Sequence, residues 1–240
     1  GLQPALKFLR PHLVSEFAQL LDGAADLRRH GIGGEVRVDR VEVHTQDGME
    51  YLDPMTSRAF AVADHQLAHV YVRHPENPEN MAAARAALAD LEGVAELLDD
   101  EGKKSHGLDH PRSGELVAVA EPDAWFTYYY WLDDAKAPDF AQLVEIHRKP
   151  GYDPVELFMD PLDPYVRVKA ATALARKKLG MRYRMAVVPL DPSPVRGSHG
   201  RLPESDDEGP LILCSTPRAV DGRVAATDVK ALLLQLAGLH

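Results

Sequence analysis

Few histidines are presented as openly as His199 in "PVRGSHGRLPES". Pro189, Pro192 and Pro194 hold the approach extended, and Gly197 and Gly200 allow a sharp turn that leaves both flanks of the imidazole bare. A neutral imidazole is the commonest metal ligand and the side chain best suited to move protons near neutral pH. The same pattern also suits a surface histidine in a turn. A second candidate is "VADHQ", which sets Asp64 and His65 at the end of an apolar run. That is a geometry for two metal ligands or for a polar turn between paired strands. A third is "HRKPGYDP", where His147, Arg148, Lys149 and Tyr152 gather before a turn. They read as an anion site with Lys149 in it, or as a basic Pro-Gly loop.

Other stretches offer less. "WFTYYYWLDD" could stack a base or an aryl group, but dense aromatics more often fill a core. Asp133 and Asp134 are adjacent, so on a strand they would face opposite ways, and a turn suits them better. Asp109 and His110 precede a proline with no second ligand at useful spacing. Cys214 sits in an apolar run and reads as inert packing.

These residues need elements to position them. Leu13, Phe17, Leu20, Leu21, Ala24 and Leu27 recur at helical spacing before Gly31. Val36, Val38, Val41 and Val43 alternate as in strands, with a slip at Asp39-Arg40. "QDG" marks a turn into a short strand "MEYL". "RAFAVAD" and "LAHVYVR" read as two strands, and "PENPENMAAARAALADLEGV" as a helix ending near Gly93. "GELVAVA", "AWFTYYYWL", "RMAVVPL" and "PLILCS" read as further strands. "DPYVRVKAATALARKKLG" and "ATDVKALLLQLAGL" read as helices stopped by Gly180 and Gly238, the latter capped by Thr227 or Asp228. Interleaved strands and helices predict an α/β fold with a mixed sheet flanked by helices.

The totals narrow the function. A net charge of −10 argues against wrapping a long nucleic acid. No apolar run approaches the ~20 residues of a membrane span, so no membrane partner is expected. One cysteine excludes an intrachain disulfide and a cysteine-built zinc cluster, and a cytoplasmic setting is expected. Eleven histidines keep a metal site in view.

In this setting "RGSHG", then a polar stretch and "GPLILCS", resembles the last metal-ligand motif of the alkaline phosphatase superfamily, in its type I phosphodiesterase and nucleotide pyrophosphatase branch. "SRAFAVADHQLAHVYV", "GLDHPRSGELVAVAEPDAWFTYYYWLDD" and "HRKPGYDPVELF" resemble segments of that group in the same order, so the likeness runs over residues 57–239. It implies an alkaline-phosphatase-like fold and a zinc-dependent hydrolase of small phosphate esters or nucleotides. Two zinc ions are implied, ~3.5–4 Å apart as in two-metal sites generally. His199 would bind one of them, Arg196 would attract the anionic substrate, and Asp64 with His65 is one candidate for the Asp-His element. "VSEF", with Glu16, is the other. The group's nucleophile and first ligands have no counterpart here. The resemblance therefore implies one α/β domain over residues 1–240, the C-terminal portion of a longer enzyme. The alternative is a non-catalytic α/β binding or assembly module.

Overall fold

The computed structural model describes residues 42–239, apart from 90, 92, 132, 217–219 and 221. The helix expected before Gly31, the strand slip at Asp39-Arg40 and Glu16 lie outside the described residues. The chain divides into two units, Gly1–Arg201 and Leu202–His240.

In the first unit, β1 (Val43–Gln46) and β2 (Met49–Leu52) form a hairpin closed by Asp47 and Gly48, both at positive φ. Asp-Gly supplies the backbone that a two-residue hairpin needs. β3 (Ala59–Asp64), β4 (Leu67–Val72), β5 (Val94–Leu98) and β6 (Leu116–Ala120) form a second sheet in the order β3-β4-β6-β5. All of these strand pairs are antiparallel, and a single parallel bridge joins Ala63 to Gly151. The α/β class expected from the sequence is what the chain adopts.

Strand alternation gives this sheet two different faces. Ala59, Ala63, Ala68, Val70, Leu116 and Ala118 share one buried face. Their small side chains let the helix α1 (Pro78–Ala89) lie close, with Ala84 and Leu88 one turn apart on the inner side. The Asn77 carboxamide accepts from the Glu79 amide at 2.9 Å and Pro78 opens the first turn, as expected of a helix start. Val117, Val119 and Leu98 cluster on the other face with Leu67 and Leu108. There a short helix α2 (Asp100–Ser105) begins at Asp99, whose carboxylate accepts from the amides of Glu101 and Gly102, both at 3.1 Å.

Three expected strands are not strands. The aromatic run 124–131 is buried throughout but carries no ladder. Its rings pack on one another instead: Tyr129 stacks on Trp131 with centroids 4.6 Å apart, and Tyr128 and Tyr130 meet Trp131 edge-on. Bulky side chains on both sides of one segment fill the core and leave no room for neighbouring backbone. "RMAVVPL" makes one antiparallel bridge, Leu143 to Ala186, before Pro189 removes the next donor. A long helix α3 (Val166–Lys178) precedes it and stops at Gly180, φ +70°.

In the second unit "PLILCS" is irregular, with Leu211 and Leu213 exposed, and Cys214 is exposed rather than packed. The helix α4 (Val229–Leu236) follows a 3-10 turn at Ala226–Asp228 and ends before Gly238, φ +70°. Asp228 occupies its N-cap position without a side-chain cap bond.

The sheet's tightest point is Gly114, just before β6. A Cβ there would lie 2.5 Å from the Val70 carbonyl oxygen and 2.6 Å from its amide nitrogen. Backbone cannot yield as a side chain can, so Gly114→Ala must part β4 from β6. Leu88→Ala only empties a space under α1, for a cost of about 2–5 kcal/mol. Thermal melts should rank the two accordingly, with Gly114→Ala the lower, and a Gly114→Ala melt at or above that of Leu88→Ala would contradict the packing described.

Candidate functional site

Residues far apart in the sequence meet at the tip of the β3–β4 hairpin. Asp64 pairs with Leu67, leaving His65 and Gln66 as a two-residue turn. His65 sits at φ +58°, a conformation that histidine tolerates better than most residues. Four contacts hold it there. The Phe126 amide donates to the His65 carbonyl at 2.7 Å, and the Ala120 amide to the Gln66 carbonyl at 2.9 Å. The Gln66 carboxamide donates to the Ala124 carbonyl at 3.1 Å. The Gln66 amide donates to the His199 carbonyl at 2.9 Å.

The last of these bonds brings the histidine loop to the hairpin. Gly200 makes the approach possible through its φ of +120°, a conformation that side-chain-bearing residues rarely adopt. On its far side Arg201 donates to the Ala120 carbonyl at 3.0 Å. Val195 is buried and anchors the near side, whereas Arg196 and His199 are exposed.

The side chains follow the backbone. The His65 and His199 rings stack with centroids 3.9 Å apart and 29° between planes. Tyr152 stacks on His65 at 4.8 Å. His65 is thus enclosed, with Nδ1 3.0 Å from the Ser198 hydroxyl. Tyr152 is delivered by Gly151, φ +139°, whose hydrogen lies where a Cβ would meet the Ala63 carbonyl oxygen at 2.6 Å. The Tyr152 amide donates to that same oxygen at 2.9 Å. Asp64 is exposed, on the sheet face opposite Ala63.

Of the residues singled out from the sequence, His65 and His199 are brought ring to ring, Asp64 precedes His65 with an exposed side chain, and Arg196 lies on the same loop as His199. Lys149, read as an anion contact, is placed otherwise. Its side chain is 0% exposed, and its ammonium pairs with Asp153 at 2.8 Å and Glu156 at 2.6 Å. It also lies 5.6 Å from the centre of the Tyr128 ring. An ammonium with two carboxylates on it is committed to the fold. Asp133 caps a 3-10 turn through the Ala135 amide at 2.9 Å. Ser198 and Tyr152 were not read from the sequence as parts of this cluster. The signal for Ser198 was its place beside His199.

Burial pushes the His65 imidazole below its ordinary value. A charge on His199 would push it further, and Asp64 opposes both. At neutral pH His65 is therefore an unprotonated base or ligand. Burial likewise raises the Asp153 carboxyl, against the pull of Lys149.

Two neighbouring imidazoles, one with Nδ1 already engaged by a hydroxyl, are donors of the kind that a zinc-like cation takes. Yet these rings lie face to face, and among the described residues no group of three or more His, Cys, Asp or Glu side chains could hold an ion. The described residues supply part of a donor set and do not complete a metal site.

Acid should loosen this arrangement in a defined window. With folded His65 below the ordinary 6.5, the unfolded chain takes the proton first. The stability due to an unprotonated His65 is full above about pH 6.5 and is lost as the pH falls from there through the folded value. His199→Asn removes a cause of the shift, so the His65 midpoint in an NMR titration should rise towards 6.5. A midpoint that is unchanged or lower in the variant would show that the two rings do not interact as described.

Comparison with known proteins identifies one family. The family model for type I phosphodiesterase / nucleotide pyrophosphatase matches residues 14–153. The match spans both hairpins, the aromatic run and Tyr152, and stops short of the His199 loop. No curated protein and no solved structure matches the chain significantly. The matched family lies in the alkaline phosphatase superfamily, and its members are generally metal-dependent hydrolases of phosphodiesterase and pyrophosphatase type. With more than half of its 240 residues matched, the chain belongs to the type I phosphodiesterase/nucleotide pyrophosphatase family.

Proposed function

We propose that this chain contributes the His65–His199 cluster to a metal-dependent phosphoric-ester hydrolase of phosphodiesterase or nucleotide pyrophosphatase type. The observation that carries the reading is the meeting of two histidines, one inside the family match and one beyond it, through the Gln66–His199 backbone bond. His199, His65 and Asp64 are the residues we assign to the metal, of zinc type. Arg196, beside them on the exposed loop, is the residue we assign to drawing in the anionic substrate. A bound dication would supply neutralisation of phosphoryl charge, the main need in such transfers. The chain's own residues hold the turn rigid, keep His65 unprotonated and shield it between two rings. The nucleophile and remaining ligands belong, in this reading, to other segments of a longer enzyme. A purely binding module is not what the family match favours.

The test uses the full-length protein with a chromogenic phosphodiester and a nucleotide ester. Turnover should vanish after chelation and return with added zinc. His65→Ala and His199→Ala should each lower kcat/KM by about 100-fold or more, the size of effect expected when a ligand or its support is lost. Full-length protein that turns over neither ester with zinc present, or variants as active as the parent, would reject the proposal.

A further inference from the structure

A second feature lies on segments that the cluster does not use. Between Val166 and Arg184 the chain carries Arg167, Lys169, Arg176, Lys177, Lys178, Arg182 and Arg184 and not one Asp or Glu, although its net charge is −10. Three of these fall in the last turn of α3, where the helix dipole favours cations. The dipole does not account for Arg182 and Arg184, which lie past the helix end.

The return from α3 folds these charges onto one another. Gly180 turns the chain, the Met181 amide donates to the Arg176 carbonyl at 2.9 Å, and Arg176 Nε donates to the Arg182 carbonyl at 3.0 Å. Lys177 sits 5.7 Å from the centre of the Tyr183 ring. The result is a cavity of about 890 Å³ between α3 and residues 180–186, walled by Lys169, Arg176, Arg182, Arg184, Met181 and Tyr183. Among the described residues no carboxylate lines it. Lys169 and Arg184 are each tied to an aspartate outside it, Asp163 at 2.5 Å and Asp139 at 3.2 Å. Among the described residues nothing pairs with the Arg182 guanidinium. Like charges lining one cavity repel unless an anion joins them.

We propose that this cavity binds a compact polyphosphate, with phosphoryl oxygens on Arg176 and Arg182 and Tyr183 offering a face to a base. Guanidinium forks match phosphate oxygens two at a time, which favours phosphoryl groups over a single carboxylate. The volume lies within the range of small-ligand pockets, so a nucleoside di- or triphosphate fits the space. The chain's net negative charge disfavours a long nucleic acid at the same place.

Calorimetry on the full chain, with inorganic pyrophosphate and with ATP as probes, tests this without reference to hydrolysis. Both should bind, with ATP the tighter if Tyr183 takes the base, and binding should weaken as salt rises. Arg182→Gln should weaken both by about tenfold or more, because one charge-assisted pair is lost. Lys104→Gln removes an exposed charge from α2 and should leave affinity unchanged. Arg176→Gln also removes a contact that shapes the cavity, so Arg182→Gln is the deciding variant. In the His199→Ala background Arg182→Gln should still cost the probes about tenfold or more, which separates this site from the hydrolytic reading. Absence of binding by either probe, equal loss in Lys104→Gln, unchanged affinity in Arg182→Gln or tighter capture of single-stranded DNA would each overturn the proposal.

Discussion

One backbone hydrogen bond holds the cluster together: the Gln66 amide to the His199 carbonyl. Its energy, about 1 kcal/mol net, is unexceptional. Its consequence is geometric, because it joins a hairpin turn to a loop more than a hundred residues away. Both sides must already be in place for it to form. The hairpin side is fixed by the Ala120 and Phe126 amides and by the Gln66 carboxamide, which ties the turn to the start of the aromatic run. The loop side is fixed by Val195 in the core and Arg201 on Ala120. Glycine at 200 allows the approach. Any other residue there would need the unfavourable φ +120°.

Enclosing His65 brings a cost as well as a position. A left-handed φ at a non-glycine residue costs of order 1 kcal/mol or more. An imidazole shut between two rings loses the ease with which it would take a proton. Structures keep such features where the surroundings over-determine them. Here the surroundings include Tyr152, which depends on Gly151 against Ala63, and next to it the buried Lys149–Asp153–Glu156 group. An ion pair taken out of water stabilises little on balance but is severe about geometry, since removing one partner strands the others. The 149–156 segment is thereby held to one conformation, and Tyr152 within it is held on His65. Lys149 bears on the cluster from inside the protein, through the shape of its own turn.

Much of this was legible in the sequence, and the failures have physical causes. β3 and β4 were readable because alternation and a two-residue turn leave only one register. α1 and α3 were readable from a proline or capping residue at one end and glycine at the other. Strand β5 and the short helix α2 carry no such signal. "VAELLDDEGKKS" alternates weakly, and its cap, Asp99, is visible only once the Glu101 and Gly102 amides are seen to reach it. The aromatic run misled because strand propensity reports a fit to a half-buried pleat, and this segment is buried on all sides. Lys149 misled because three polar residues before a Pro-Gly turn look solvated, and no local pattern foretells that Asp153 and Glu156 close over the lysine. Asp64, His65 and His199 could each be singled out from the sequence as candidates. Their meeting was not legible, because contact across such a separation is set by the sheet and the core and not by neighbours in the chain.

Charge is spread unevenly over this fold, and the unevenness follows the elements. The histidine cluster stands at a sheet end where Asp64 acts on His65 as a carboxylate. The α3 return gathers seven cations in a chain with ten more acidic than basic side chains. Helix dipole and solubility together account for a basic last turn. They do not account for cations that continue around the glycine stop and onto the returning segment. The return folds back on α3, where the Arg176 side chain donates to the Arg182 carbonyl. A chain relieved of that requirement would place acidic residues among these positions, as it does in α2, where Asp100 and Glu101 answer Lys103 and Lys104. The two helices differ in where their carboxylates come from: α2 carries its own, whereas Lys169 and Arg184 draw on Asp163 and Asp139 outside α3 and its return.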